Sequence, residues 1–138
     1  MPQRSIEYRR TRDIPLDSIL ALYRANAWSA ADKPDALGRA IANSDFVVSA
    51  WDAAELVGLG NALSDGHLVV YYPHLLVAPS HQGCGIGRRL VGMLLERYAG
   101  FHQQVLVADG GAISFYEKCG FVPAGRTRSM WIYDGGDH

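Results

Sequence analysis

Between Leu75 and Arg89 the chain reads Leu-Leu-Val-Ala-Pro-Ser-His-Gln-Gly-Cys-Gly-Ile-Gly-Arg-Arg, a pattern suited to holding an anion. An apolar run ends at Val77, a Pro-Ser-His turn follows, and Gly83, Gly85 and Gly87 open an amphipathic segment. Each glycine removes a Cβ where backbone and ligand must come close. The first N–H groups of a helix have no intrahelical partners, and its start carries about half a positive charge. An anion fits there. Arg88 and Arg89 oppose the helix dipole in this first turn, and glycines within a helix cost roughly 1 kcal/mol apiece. A segment that breaks two local rules reads as a site rather than a scaffold. The alternative is a flexible loop beside a solvated charge pair.

The spacing disfavours two common phosphate binders, leaving a nucleotide-phosphate binder as a third alternative function. A P-loop needs Lys-Ser or Lys-Thr after its last glycine, and here Arg88-Arg89 follows Gly87. A dinucleotide fold needs G-x-G-x-x-G after a first strand, and this cluster has other spacing and lies mid-chain.

Gln82-Gly83-Cys84-Gly85-Ile86-Gly87 resembles the Q/R-x-x-G-x-G/A signature of the GNAT superfamily of acyl-CoA-dependent N-acetyltransferases. A second stretch, Ala112-Ile113-Ser114-Phe115-Tyr116-Glu117-Lys118-Cys119-Gly120-Phe121, is similar to the A-x-x-F/L-Y-x-K-x-G-F segment that closes that domain. Two such motifs, joined by helix and strand, are far more specific than either alone. The resemblance implies an α/β (α+β) fold with a mixed sheet, splayed at the acyl-CoA site and flanked by helices on both faces. It implies acetyl-CoA or coenzyme A as co-substrate and no metal. Binding falls to Leu75, Leu76, Val77, Gln82, Gly83, Cys84, Gly85, Ile86, Gly87, Arg88, Arg89, Phe115 and Tyr116. Asp109 joins them by resemblance: the family often carries an Asn shortly before this helix whose side chain contacts the pantetheine arm, where this chain reads Ala108-Asp109-Gly110-Gly111, and an ionised Asp is an acceptor only.

The implied reaction moves an acetyl group to an amine. An alkylamine with a pKa of ~10.4 is neutral about once in 10³ molecules at pH 7, a cost of roughly 4–5 kcal/mol. A base or a wet proton path must help. His74 and Asp65 are the candidates, set against the ordinary readings of a satisfied strand histidine and an Asp-Gly turn former. A backbone N–H at the splayed strand, Val77 by choice, can bind the developing oxyanion. By resemblance Tyr116 faces the coenzyme sulfur, and a phenol of pKa ~10 can return a proton to the leaving thiolate. Cys84, at the pyrophosphate position, is a loop filler rather than a nucleophile.

These residues need elements to hold them. Ile6 to Arg12 reads as a strand, and Asp13 as the cap of a helix with Leu16, Ile19, Leu20 and Tyr23 on one face, ending near Asn26. Trp28 follows in a loop, either lining a substrate pocket or packing on the core. Pro34 to Asn43 is a second helix with Leu37, Ala40 and Ile41 inward. Phe46 to Trp51 and Leu56 to Leu63 form strands; Gly58 and Gly60 mark a bend or a close approach. Ser64-Asp65-Gly66 turns into a long strand, His67 to Val77, broken by Pro73, which belongs at an edge or bulge. A helix with Ile86, Leu90, Met93, Leu94 and Tyr98 inward, the strand Val105–Val107, and a helix Ala112–Lys118 closed by Gly120 follow. Phe121 begins the final strands, including Met130-Trp131-Ile132-Tyr133.

The chain's 138 residues fit one domain, with 49% hydrophobic and 20% charged residues as in soluble proteins. A net charge of −1 leaves no footprint for nucleic acid. Apolar runs are too short to span a membrane, and Met1 to Arg12 is charged, unlike a secretory signal. Cys84 and Cys119 form no CxxC pair, which points to reduced thiols and a cytoplasmic setting. The acceptor is a small-molecule or peptide amine; Ser64-Asp65-Gly66 and Met130-Trp131 look somewhat like serotonin and arylalkylamine acetyltransferases. Trp28, Tyr71, Tyr72 and Trp131 could equally form core or a dimer surface, and a homodimer is an expectation from the resemblance. A non-catalytic acyl-CoA sensor on the same fold is the alternative function.

Overall fold

The computed structural model describes residues 5–137, so Met1 to Arg4 of the charged Met1–Arg12 stretch lie outside the described residues. In chain order the elements are β1 (Ile6–Arg9), α1 (Leu16–Ala25), α2 (Pro34–Ala42), β2 (Phe46–Asp52), β3 (Glu55–Ser64) and β4 (Val69–Tyr71). Then come β5 (Leu75–Val77), α3 (Ile86–Arg97), β6 (Gln103–Val105) and α4 (Ile113–Lys118). The expected mixed sheet flanked by helices is what forms. β1, β2 and β3 pair antiparallel, β4 and β5 both pair antiparallel with β3, and β4 pairs parallel with β6.

The stretch expected as one long strand is two, and Pro73 is where it divides. Leu63 pairs with Tyr71 and Gly60 with Leu75, so residues 61–62 of β3 face residues 72–74, two against three. That is a β-bulge, the place for a residue with no N–H to give the ladder. Beyond the bulge β5 stays with β3 whereas β4 takes β6 as its other neighbour. The sheet therefore splits between β5 and β6.

Gly58 and Gly60 hold α3 against this split. A Cβ on Gly58 would lie 3.0 Å from Leu90, 3.1 Å from Ile86 and 3.2 Å from Ala50. One on Gly60 would meet Leu75 at 3.1 Å and Leu94 at 3.2 Å. The residues Ile86, Leu90 and Leu94, one helical face at four-residue spacing, thus press directly onto backbone. Of the two sequence readings of these glycines, close approach is the one realised. Gly58→Ala should cost about 1–3 kcal/mol through this overpacking, read as a lower thermal midpoint; an unchanged midpoint would mean α3 can shift freely.

Several boundaries differ from the sequence reading. Asp13 does not cap α1: Pro15 holds the N-cap position without a side-chain bond, and the Asp13 N–H instead donates to Thr11 Oγ1 at 3.1 Å. Leu16 and Ala40 are exposed, while Leu22 joins Ile19, Leu20 and Tyr23 in the core. Gly120 does close α4, at φ 103°: its N–H donates to the Glu117 carbonyl and the Phe121 N–H to that of Tyr116, a Schellman motif. The final strands do not form. Among the described residues no strand follows β6, and Met130 to Tyr133 lie exposed on the surface. Their end is tied elsewhere, by Lys33 Nζ to Asp134 at 2.6 Å and Ser29 Oγ to the Tyr133 hydroxyl at 3.1 Å.

Candidate active site

The glycine loop has the backbone that an anion cradle requires. Gly83 and Gly85 sit at φ 80° and 85°, with open space where a side chain would stand. Gly85 is the N-cap of α3, and no side chain caps that helix. The first intrahelical bond runs from Arg89 N–H to the Gly85 carbonyl, so the amides of Ile86, Gly87 and Arg88 have no partner within the helix. Gly87 serves differently: a Cβ there would come 3.4 Å from the Phe115 ring and 3.6 Å from Val77. The two sequence motifs meet at this contact. The Ile86 side chain is buried beneath α3, leaving only its amide for the site. Cys84 is exposed and free. The arginines diverge: Arg89 lies 5.6 Å over the Tyr8 ring, and Arg88 flanks Cys119 closely enough to bear on its thiol.

The strand beside the loop offers its edge to the split. Ala78 N–H donates to the Val57 carbonyl and Asn61 N–H to that of His74, which fixes the ladder's phase. By the antiparallel alternation Leu76 exchanges its backbone bonds with Leu59, while the N–H and carbonyl of Leu75 and Val77 face away from β3 into the gap. The Val77 carbonyl is already used: Gln82 Nε2 donates to it at 3.0 Å, tying the loop to the strand end. Leu76, expected among the binding residues, is buried in the core, and its backbone pairs with Leu59 rather than facing the gap. Leu75, Tyr72, Leu106, Tyr116 and Phe121 line a narrow apolar crevice in the split.

Tyr116 is placed there by α4. Its ring packs edge-on against Phe115 and Phe121, at 5.1 and 5.9 Å between centroids. Burial pushes its hydroxyl up to about 12, so it keeps its proton. Among the described residues the hydroxyl has no hydrogen-bond partner, whereas those of Tyr23, Tyr72 and Tyr98 go to His74, Gln104 and Asp45. Asp109 is exposed ahead of the 3-10 turn Gly110–Ala112 that leads into α4.

The two base candidates fare differently. Asp65 Oδ1 accepts the N–H groups of His67, Leu68 and Val69 at 2.9, 2.8 and 3.2 Å. These bonds hold its carboxyl below the usual range and commit Oδ1 to the turn. His74 lies in the bulge, its Nδ1 2.7 Å from the hydroxyl of fully buried Tyr23, with Trp28 packed edge-on to both rings. Its N–H donates to Asn61 Oδ1 at 3.1 Å. Burial lowers His74 to about 4, so the ring is neutral at pH 7. When the Tyr23 hydroxyl donates to Nδ1, the proton of the neutral His74 ring sits on Nε2. Sequence reasoning placed Tyr23 only in the core. Its signal was a hydroxyl on a buried helical face, which must find a partner.

A mixed sheet split beside a helix start without a side-chain cap, with Tyr116 lining the crevice in the split, defines this α/β fold. The chain belongs to the GNAT acetyltransferase family: the family model described as "Acetyltransferase (GNAT) domain" matches residues 16–131. A protein of Prochlorococcus marinus named "Uncharacterized N-acetyltransferase ycf52-like" is 26% identical, aligned over 94% of this chain and 76% of its own length. The solved GNAT family protein SP0256 of Streptococcus pneumoniae is 27% identical, with a TM-score of 0.82 over 94% of this chain and 99% of its own. The aminoglycoside N-acetyltransferase AAC(6')-Iy, solved with CoA, shares the fold at a TM-score of 0.69, 16% identity, and 96% and 95% coverage. Among the described residues no helix is long and apolar enough to cross a membrane.

Proposed function

We propose that this protein transfers an acetyl group from acetyl-CoA directly to a primary amine in a ternary complex, without an acyl-enzyme. The observation that carries the reading is the unpartnered Tyr116 hydroxyl in the apolar split beside the Gly83–Gly87 loop. The loop amides and those of Ile86, Gly87 and Arg88 would hold acetyl-CoA, which supplies an activated thioester carbonyl when bound. The Val77 N–H, facing the gap, donates to a carbonyl oxygen there and stabilises the charge that develops on it. Tyr116 holds a proton for the departing sulfur. His74, neutral with Nδ1 taken by Tyr23, serves as an Nε2–H donor that orients the acceptor beside Trp28. The amine's proton leaves through water. The acceptor is a small-molecule or peptide amine, and the free Cys84 and Cys119 suit a cytoplasmic setting.

Calorimetric titration with CoA and acetyl-CoA, followed by an amine panel read through free-thiol release, tests this. Binding with turnover on one amine class supports the proposal and names the substrate. Binding without thiol release across a broad panel would favour the sensor reading. Gly85→Ala forces a side chain into the left-handed region, costing about 1–2 kcal/mol, and should weaken CoA binding by about 10-fold. Unchanged affinity there would remove the loop from the site.

A further inference from the structure

The glycine loop is tethered by a buried side chain, and that side chain is polar. Among the described residues between Ala78 and Ile86, only His81 is buried, at 5% exposure. The chain leaves β5 at Ala78, whose N–H still donates to the Val57 carbonyl on β3, and makes one 3-10 turn, Pro79–His81. Gln82 to Gly85 are exposed, and Ile86 at the start of α3 is buried again. The four exposed residues are therefore strung between two buried anchors.

The anchors work differently. Ile86 is held by apolar packing over Gly58. His81 is held by direction: its Nε2 lies 2.8 Å from Asp52 Oδ2 and its Nδ1 2.7 Å from Ser80 Oγ. Asp52 ends β2, 29 residues earlier in the chain, on a tight hairpin turn. It pairs there with Glu55 across Ala53 and Ala54, and Ala53 is in the left-handed region at φ 53°. An apolar side chain could fill the space under the loop without the desolvation cost that an imidazole carries. Hydrogen bonds offset that cost, and unlike packing they fix the ring's orientation as well as its depth.

We propose, on the reading of this loop as the acetyl-CoA site, that His81 and Asp52 are positioning residues for coenzyme A. Their bond ties the loop to the β2–β3 hairpin and holds the Gly83–Gly87 amides in the binding arrangement before the ligand arrives. An exposed glycine loop without this tie has to be ordered at the moment of binding, and the entropy lost then lowers the affinity. Neither residue needs to touch the ligand.

Calorimetric titration of the full chain with CoA should give a Kd about 10-fold higher in His81→Ala and in Asp52→Ala than in wild type. On charge alone, removing a carboxylate near an anion site would tighten binding, so a weakening reports the lost bond. The double variant should bind no more weakly than His81→Ala, because the second substitution removes a bond already gone. Asp52→Asn, whose amide oxygen still accepts from Nε2, should stay within about threefold of wild type. KM for acetyl-CoA should rise in the same proportion while kcat changes far less, a split that a smaller folded fraction would not produce. Asp52, with its side chain 33% exposed at a strand end, decides the matter if His81→Ala does not fold. Unchanged affinity in Asp52→Ala, or Asp52→Asn as weak as Asp52→Ala, would overturn the assignment and leave the acetyl-CoA reading intact. So would losses that simply add in the double variant. A wild-type chain that binds no CoA would overturn both.

Discussion

Tyr116→Phe should lower the turnover number for thiol release by about 10²-fold while leaving CoA affinity and thermal stability unchanged. The substitution removes one hydroxyl that bonds to nothing else among the described residues, and the ring still fills the space between Phe115 and Phe121. No cavity opens and no buried polar group is stranded, so a purely structural tyrosine would give no effect at all. The loss should fall on turnover rather than on KM, because a proton needed only as the sulfur departs contributes little to ground-state binding. With burial holding this hydroxyl at about 12, no descending limb from its ionisation should appear below pH 10. Turnover in the variant equal to wild type would end the assignment.

Acid should destabilise the fold through His74 by about 3 kcal/mol, the linkage equivalent of its displacement from 6.5 to about 4. The folded protein refuses a proton that the unfolded chain accepts. Its contribution is therefore complete above pH 6.5 and is lost as pH falls through this window towards 4. Burial is the cause: the ring is packed among Tyr23 and Trp28, away from the water that would solvate a charged imidazole. Urea midpoints at pH 7.5 and 4.5 should diverge strongly in wild type and much less in His74→Gln, because the remaining titrating groups are common to both. Equal divergence in the two proteins would show that His74 is solvated. His74→Gln should retain more activity than Tyr116→Phe, because it changes orientation rather than a proton donor to the leaving group.

The two motifs were legible in the chain because their requirements are local. A left-handed Gly85 ahead of an apolar helical face, and a Gly120 that closes α4, are conditions that neighbouring residues impose on one another. Pro73 announced an interruption for the same reason: a residue without an N–H cannot serve a ladder whichever strand lies opposite. What followed from that interruption was not local. Only pairing with β3 converts it into a bulge, and only the divergence of β4 and β5 opens the gap that the Val77 N–H faces.

Pairing and burial also decided the surroundings of the other candidate residues. Asp65 looks like a base in a list of carboxylates, but three amides of its own turn claim it. Leu76 adjoins two residues of the gap, yet alternation turns its backbone to Leu59. His74 gained its partner from a helix 51 residues away, which no spacing rule anticipates. Met130 to Tyr133 have the composition of a strand, but a strand exists only where another edge bonds it, and among the described residues no sheet takes them in. The sequence by itself determined where the chain bends, caps and could receive an anion, because those follow from single residues and their neighbours. Which backbone groups stay free and which side chains lose water was decided by the tertiary structure, since both depend on what lies opposite.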